Sequence, residues 1–522
     1  MAGWVSRMRS AFGASFLWLV SFVYFTQGFR SFVWTAVSYQ LKDILKLSPS
    51  ASQFVVSAAF FPWSIKPFYG ILSDCIPIRG RKRVPYLIIA TILSLFPWVV
   101  LGLISTLRNS HIWLTIFLCM QNFGSAMADV VIDAMIAEAV RSERAAFAGD
   151  LQSLSWSAMA FGGVCGSLLG GITLSNLKIS NIFLLFSVLP TIQLLSCASV
   201  DELSSSRKTR SMTGKNEGLE DDGNLVKDEN LGLQTSLDKA ASENVQSEGD
   251  ATSLNGNSSL LGASNSSTFR ISKAHQRRGK EKRTATEVDI VEESDRSLSS
   301  KWFLSLKSAF YSLCNAFRQP IILRPMAWFF FSHVTVPNLS TAIFYYQTEA
   351  LHLDASFLGT ARVMGWCGLM FGTFMYNRYL KRLRLRKILL CAHIGLALSI
   401  LFDVALVSRV HVNLGISDKY MVLFGSALSD AINQFKMMPF LIISGQLCPP
   451  GIEGTLFALF MSINNLGSTL GSFFGAFLAS ALKISSQNFD NLLLGIILQL
   501  VATFIPILFL FLIPKEATGL VA

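Results

Sequence analysis

Asp129 and Asp133 stand four residues apart in an otherwise apolar run, so a helix would carry both carboxylates on one face. Carboxylates this close raise each other's proton affinity, which suits a group that takes up and releases a proton. An ionised carboxylate there would equally accept paired N–H donors from a flat heterocyclic ligand, or pair with Arg30 as a plain interhelical ion pair. Gln27, Arg30 and Trp34 fall at i, i+3 and i+7, a polar stripe ending in an aromatic. Arg30 has the fork to hold a ligand carboxylate bidentately, and the same fork would serve a charge pair with Asp129 or Asp133. Gln152 and Trp156 lie at i and i+4, where the indole would stack on a flat ring. Further along, Asn338, Asp430 and Gln434 supply a comparable polar set, and His333 is expected to be hydrogen-bonded between helices. Glu138 falls roughly opposite Asp129 on a helical wheel, and with Asp74, Arg81 and Lys82 it forms a candidate gate.

These groups need a lipid-embedded scaffold. The chain has 522 residues, 51% hydrophobic and 15% charged, with 41 phenylalanines and a mean hydropathy of +0.47. Soluble domains carry about 25% charged residues. About twelve segments reach the ~20 apolar residues that cross a hydrocarbon layer. Six lie near 14–37, 51–72, 84–105, 112–138, 147–172 and 182–199, and six near 320–346, 356–377, 386–407, 419–446, 454–482 and 492–513. The run from Phe16 to Val37 is too long for a cleaved signal peptide, so the first span is expected to be retained. An ionisable group in such a span costs about 2.5–3.5 kcal/mol on insertion scales and marks a pathway or a buried pair.

Four regions follow: a six-helix bundle over 1–200, a disordered loop over 201–300, an amphipathic surface helix over 301–318, and a second six-helix bundle over 319–522. The 201–300 stretch is too polar to bury a core. Trp302, Phe303, Leu306, Phe310, Leu313 and Phe317 recur at helical spacing, which fits a helix lying on a membrane. Lys and Arg cluster in one set of short loops, at 79–83, 141–144 and 378–387, which places both termini and the long loop in the cytoplasm. The eight cysteines are scattered, so neither a disulfide framework nor a metal site is expected. No cofactor and no nucleic-acid partner are expected, and the chain reads as a monomer. A nucleophile–base pair is not recognisable, so an enzyme is not expected either.

The halves repeat each other. Phe123-Gly124-Ser125-Ala126-Met127-Ala128-Asp129 aligns with Phe424-Gly425-Ser426-Ala427-Leu428-Ser429-Asp430. Gly162, Gly166 and Gly170 align with Gly467, Gly471 and Gly475, and Tyr39-Gln40 with Tyr346-Gln347. Parallel six-helix repeats around a midplane site are the pattern of major facilitator transporters.

Gly70-Ile71-Leu72-Ser73-Asp74, followed by Arg79-Gly80-Arg81-Lys82-Arg83, resembles the signature loop of that superfamily, with extra residues from Cys75 to Ile78. Ile65-Lys66-Pro67-Phe68-Tyr69-Gly70, Asp129-Val130-Val131-Ile132-Asp133 and Leu151-Gln152-Ser153 together resemble the folate–biopterin transporter family, in its plant form. The resemblance covers both membrane halves but not 201–300. It implies a secondary transporter for folates or pterins, working by alternating access, and the Asp129–Asp133 pair is the candidate site for coupling to protons. Arg30 would then meet the glutamyl tail of a folate. Another organic anion or metabolite is the alternative substrate, and a receptor or scaffold that has lost transport is the alternative class.

Overall fold

The computed structural model describes residues 2–140, 148–198 and 453–514, and most of 302–446. The 201–300 segment lies outside the described residues, as do Arg141 and Arg144. The described residues are almost entirely helical, apart from one isolated bridge between Ile78 and Arg81.

In the first half, α1 (Ala2–Phe12) meets α2 (Ala14–Tyr39) at a sharp bend. Gly13 sits at that corner with φ 83, a conformation glycine takes without strain. Then follow α3 (Pro49–Phe60), α4 (Lys66–Cys75), α5 (Val84–Leu103), α6 (His111–Val140), α7 (Ala148–Asn176) and α8 (Ile179–Ala198). The second half has α9 (Pro320–Val334), α10 (Ser340–Tyr345), α11 (Ala355–Arg378), α12 (Leu385–Ser408), α13 (Asp418–Gln446), α14 (Glu453–Ala481) and α15 (Leu492–Ala502). Counting α3–α4 and α9–α10 as single broken passages, the described residues form six helical passages in each half, consistent with the twelve spans expected. Seven helical stretches are long and apolar enough to span by those criteria alone, or eight with the bent α1–α2 pair. Passages such as α13, which carries Asp430 and Lys436, miss the test because they are polar.

Local chemistry explains the breaks. Ser48 caps α3 by accepting from the Ala51 amide at 3.2 Å, with Pro49 at the first helical position. After Phe60 the chain tightens into a 3-10 turn, Phe61–Ile65, around Pro62, and α4 restarts at Lys66-Pro67. Pro337 interrupts the seventh passage between Val334 and Ser340, as its missing N–H requires. The freed Asn338 amide donates instead to Gly471 O on α14 at 3.0 Å.

The repeat in sequence is a repeat in space. The first glycine series on α7 packs on α2, and the second on α14 packs on α9 and the α9–α10 break. Gly28 of α2 faces the Met159 carbonyl so closely that any side chain there would collide with it. The first passage of each half ends in a π-helical turn, Gln40–Ile44 and Tyr346–Ala350, at the Tyr-Gln pairs that align in sequence.

Two apolar clusters fill each half, with Trp98 and Trp328 fully buried. The halves meet where α7 packs on α11 and where α3–α4 packs on α14. Large apolar side chains such as Phe371, Phe374 and Phe477 point outward, as lipid contact requires. The described residues between 302 and 317 are helical. Leu306, Leu313 and Phe317 pack onto the second half while Phe303 and Phe310 stay exposed, so the expected apolar face divides between protein and exterior.

Candidate functional site

The break between α3 and α4 turns Lys66 into the first half. Its ammonium meets the Asp129 carboxylate of α6 at 2.5 Å, and the Lys66 side chain is 5% exposed against 17% for Asp129. The Trp63 ring, in the preceding turn, lies 4.7 Å from the Lys66 ammonium and 5.2 Å from the Arg30 guanidinium. Two cations therefore share one indole, a contact strengthened by exclusion of water.

Arg30 is not paired with Asp129 or Asp133. Its fork donates to Asn122 Oδ1 at 2.5 Å and, at 3.5 Å, to the side-chain oxygens of Gln121 and Gln27. The Trp63 indole N–H donates to the same Asn122 oxygen at 2.9 Å. The alternative of an ion pair between Arg30 and the acids is thus replaced by amide contacts, with Lys66 occupying Asp129. Asp133, one turn along α6, accepts from the Tyr24 hydroxyl of α2.

Arg30 and Gln27 line a cavity of about 20 Å³ bounded by α2, α5, α6 and α8. That is room for roughly one water molecule. Asp129 does not line it, so the two charged groups do not share this chamber. Gln27 also donates to Ser125 O at 3.2 Å. Trp34 packs on Phe60 at 4.6 Å between ring centres, with its indole N–H unpartnered. Trp156 is half-buried on α7, and the Gln152 side chain lies outside the described ones.

In the second half, Asp430 packs against Gly365 of α11 and has no lysine counterpart to Lys66 beside it. Its neighbour Arg362 is exposed. Gln434 is buried, and its Oε1 is unpartnered. Lys436 is buried without a carboxylate partner among the described residues. His333 bonds within its own helix, Nδ1 to Phe329 O at 2.9 Å, and not to another helix. Asn338 sits in the α9–α10 break, where its side chain holds the Ser340 amide at 2.9 Å.

Residues 27–519 match the BT1 family. The chain belongs to the BT1 family. A relative from Arabidopsis thaliana named "Probable folate-biopterin transporter 4" is 63% identical over the whole of both chains. The "Folate-biopterin transporter" of a Synechocystis strain is 27% identical, over 94% of this chain and 80% of its own. Among solved structures, a partially occluded, inward-open xylose transporter from E. coli superposes with TM-score 0.57 at 13% identity, covering 96% of this chain and 98% of its own. That likeness shows the major facilitator fold. This BT1 member is therefore a multi-pass membrane transporter, not an enzyme.

In this BT1 chain the seam between the halves is pinned at one end and midway, while a charge cluster within the first half closes the other end. At one end, Lys42 pairs with Asp43 at 2.6 Å and with Glu349 of the other half. There too Ser52 and the Tyr345 hydroxyl lie 2.6 Å apart, and Gln53 donates to Asn338 O and, at 2.8 Å, to Ser472 O. Midway, Asn465 Nδ2 donates to Trp63 O at 3.2 Å, so Trp63 stands at the junction. At the other end, Arg83 binds Asp74 at 2.5 Å, Glu138 at 2.6 Å and Ser73 Oγ at 2.8 Å. Burial works against the Arg83 charge, but the Glu138 and Asp74 carboxylates prevail and hold its pKa above the ordinary value. Arg83 is a buried cation that joins Asp74 to Glu138, while Arg81 and Lys82 are exposed. Tyr24, Trp63, Lys66 and Asn122 are the groups that spacing did not single out. For Lys66 a signal existed, since it is an ionisable group inside a span.

Proposed function

We propose that this chain carries folates or pterins across its membrane by alternating access, with the solute seated at the junction beside Trp63, Lys66 and Asp129. The observation that carries this reading is the buried Lys66–Asp129 pair under an indole at the seam, in a chain 63% identical to a named folate-biopterin transporter. A pterin is flat, and its amino and ring N–H groups match a carboxylate. Trp63 offers a stacking face and Asp129 the acceptor once Lys66 moves aside. Gln434, Asp430 and Asn338 would complete the site from the second half, with Gln27, Trp34, Gln152 and Trp156 behind it. Arg30, enclosed by amides, acts from behind the solute by supporting the Trp63 ring.

Asp133 and Asp129 serve as the proton-coupling pair, with Tyr24 setting the proton on Asp133. The Arg83–Asp74–Glu138 cluster is the cytoplasmic latch, and the Lys42–Glu349 contact closes the opposite side. The termini and the 201–300 segment lie in the cytoplasm, and the 302–317 helix rests at the membrane surface through Phe303 and Phe310. The transporter works as a monomer.

Uptake of labelled folate and of labelled pterin into proteoliposomes, with and without a pH gradient, tests this. Saturable uptake of either, raised by the gradient, is the expected result. Binding without flux would assign the chain to a receptor role. Absence of both binding and flux for every folate and pterin would leave another organic anion as the substrate.

A further inference from the structure

The cavity beside Arg30 belongs to the interior of the first half and not to the junction. Its walls are unusual for a structural void. Arg30, Thr26, Gln121, Ser125, Thr91 and Gln193 all line it, and all are at least nine-tenths buried. Two of them carry buried polar atoms with no partner: Nε of Arg30 and the hydroxyl of Thr26. A buried polar atom left unbonded is costly, so the space is built to receive something.

The character of the walls is donor-rich. Arg30 brings a full positive charge and a free N–H, and Thr26 a free hydroxyl. Ser125 Oγ already accepts from Gln121 Nε2 at 2.7 Å, which leaves its own proton to give, and Ser94 stands 3.3 Å away. Gln193 spends one amide proton on Thr91 Oγ1 at 2.9 Å and keeps the other. The nearest acids are engaged elsewhere, Asp129 by Lys66 and Asp133 by Tyr24. Among the described residues no carboxylate contacts Arg30. The guanidinium touches only neutral amide oxygens, and Asp129, the carboxylate whose field reaches it, is already shared with Lys66, so Arg30 has no counter-charge in direct contact.

We propose that this cavity is an anion site, holding one monovalent inorganic anion of halide size as counter-ion to Arg30. At about 20 Å³ it excludes a folate or a pterin. The bound anion holds Arg30 against Trp63 and so sets the ring that faces the junction.

The test is thermal unfolding of the purified full-length protein in detergent, at constant ionic strength, with sodium chloride or sodium bromide replacing sodium gluconate. Halide is expected to raise the melting temperature saturably, by on the order of 2–4 °C. Thr26→Val, which keeps volume and removes the free hydroxyl, is expected to raise the half-saturating halide concentration about tenfold. Arg30→Gln is expected to abolish the effect; if that variant does not fold, Thr26→Val decides. Equal melting in chloride and gluconate would mean that water alone fills the space and would overturn the proposal. An identical halide effect in wild type and Thr26→Val would mark a general salt effect and overturn it too. Folate added in gluconate forms a further arm: if folate competes away the chloride effect, the guest is a substrate carboxylate and no separate anion site exists. Independent, additive shifts support the site, and the arm is read whether or not the chain transports folate.

Discussion

Lys66 and Asp129, 63 residues apart in the chain, meet at 2.5 Å with the Trp63 ring over the ammonium. Removing one partner of such a pair leaves a buried charge and costs about 3–5 kcal/mol, whereas removing both is far milder. Lys66→Met is therefore expected to lower the melting temperature sharply, and Lys66→Met with Asp129→Asn to recover more than half of the loss. Folate uptake is expected to stay abolished in both. Melting curves and proteoliposome flux on the same preparations check this; an active double variant would exclude the pair from the solute site.

Asp133 depends on Tyr24. Asp133→Asn is expected to leave downhill flux measurable while uptake no longer responds to an imposed pH gradient. Tyr24→Phe removes one hydrogen bond to a charged group, worth about 1.5–3 kcal/mol, and is expected to weaken coupling without abolishing binding. Comparing accumulation ratios with and without the gradient measures both.

The proposed latch centres on Arg83. Arg83→Ala is expected to destabilise by only about 1–2 kcal/mol, because Asp74 and Glu138 are partly wet and regain solvation. Its effect on turnover is expected to be larger. Arg81→Ala serves as a control with a smaller effect on turnover. Initial rates at saturating solute give the comparison.

At the other end, Lys42 and Glu349 are the exposed-side clasp between halves. Glu349→Lys is expected to loosen that end, and Lys42→Glu combined with Glu349→Lys to restore it. A cysteine placed at Asn338 should react faster with an impermeant maleimide in the single variant than in wild type or the double variant. Equal labelling in all three would show that this contact does not close the path.

Much of this was legible before any coordinates. The paired repeats forecast the pseudo-symmetric halves, since a glycine strip records where a backbone must approach. Pro337, which has no N–H to give a helix, marks in the sequence where the seventh passage is interrupted. The charged partners were not legible, because spacing fixes only what shares a helix face. Asp129 and Arg30 are both expensive in lipid, and the simplest guess joins them. Choosing Lys66 required knowing that the turn at Phe61–Ile65 swings α4 toward α6. Arg83 was hidden among four basic residues in the stretch 79–83; only its place at the start of α5 brings it under Ser73 and Asp74.

Gly171 of α7 and Gly359 of α11 press backbone to backbone across the two halves, where a Cβ on Gly171 would come within 2.8 Å of the Ala355 carbonyl. With no side chains interlocked at that point, one bundle can swivel on the other as a journal turns in a bearing. Resistance to that swivel then comes from the polar contacts that do cross, above all Lys42 with Glu349, so the speed of the cycle is governed by how readily that clasp lets go.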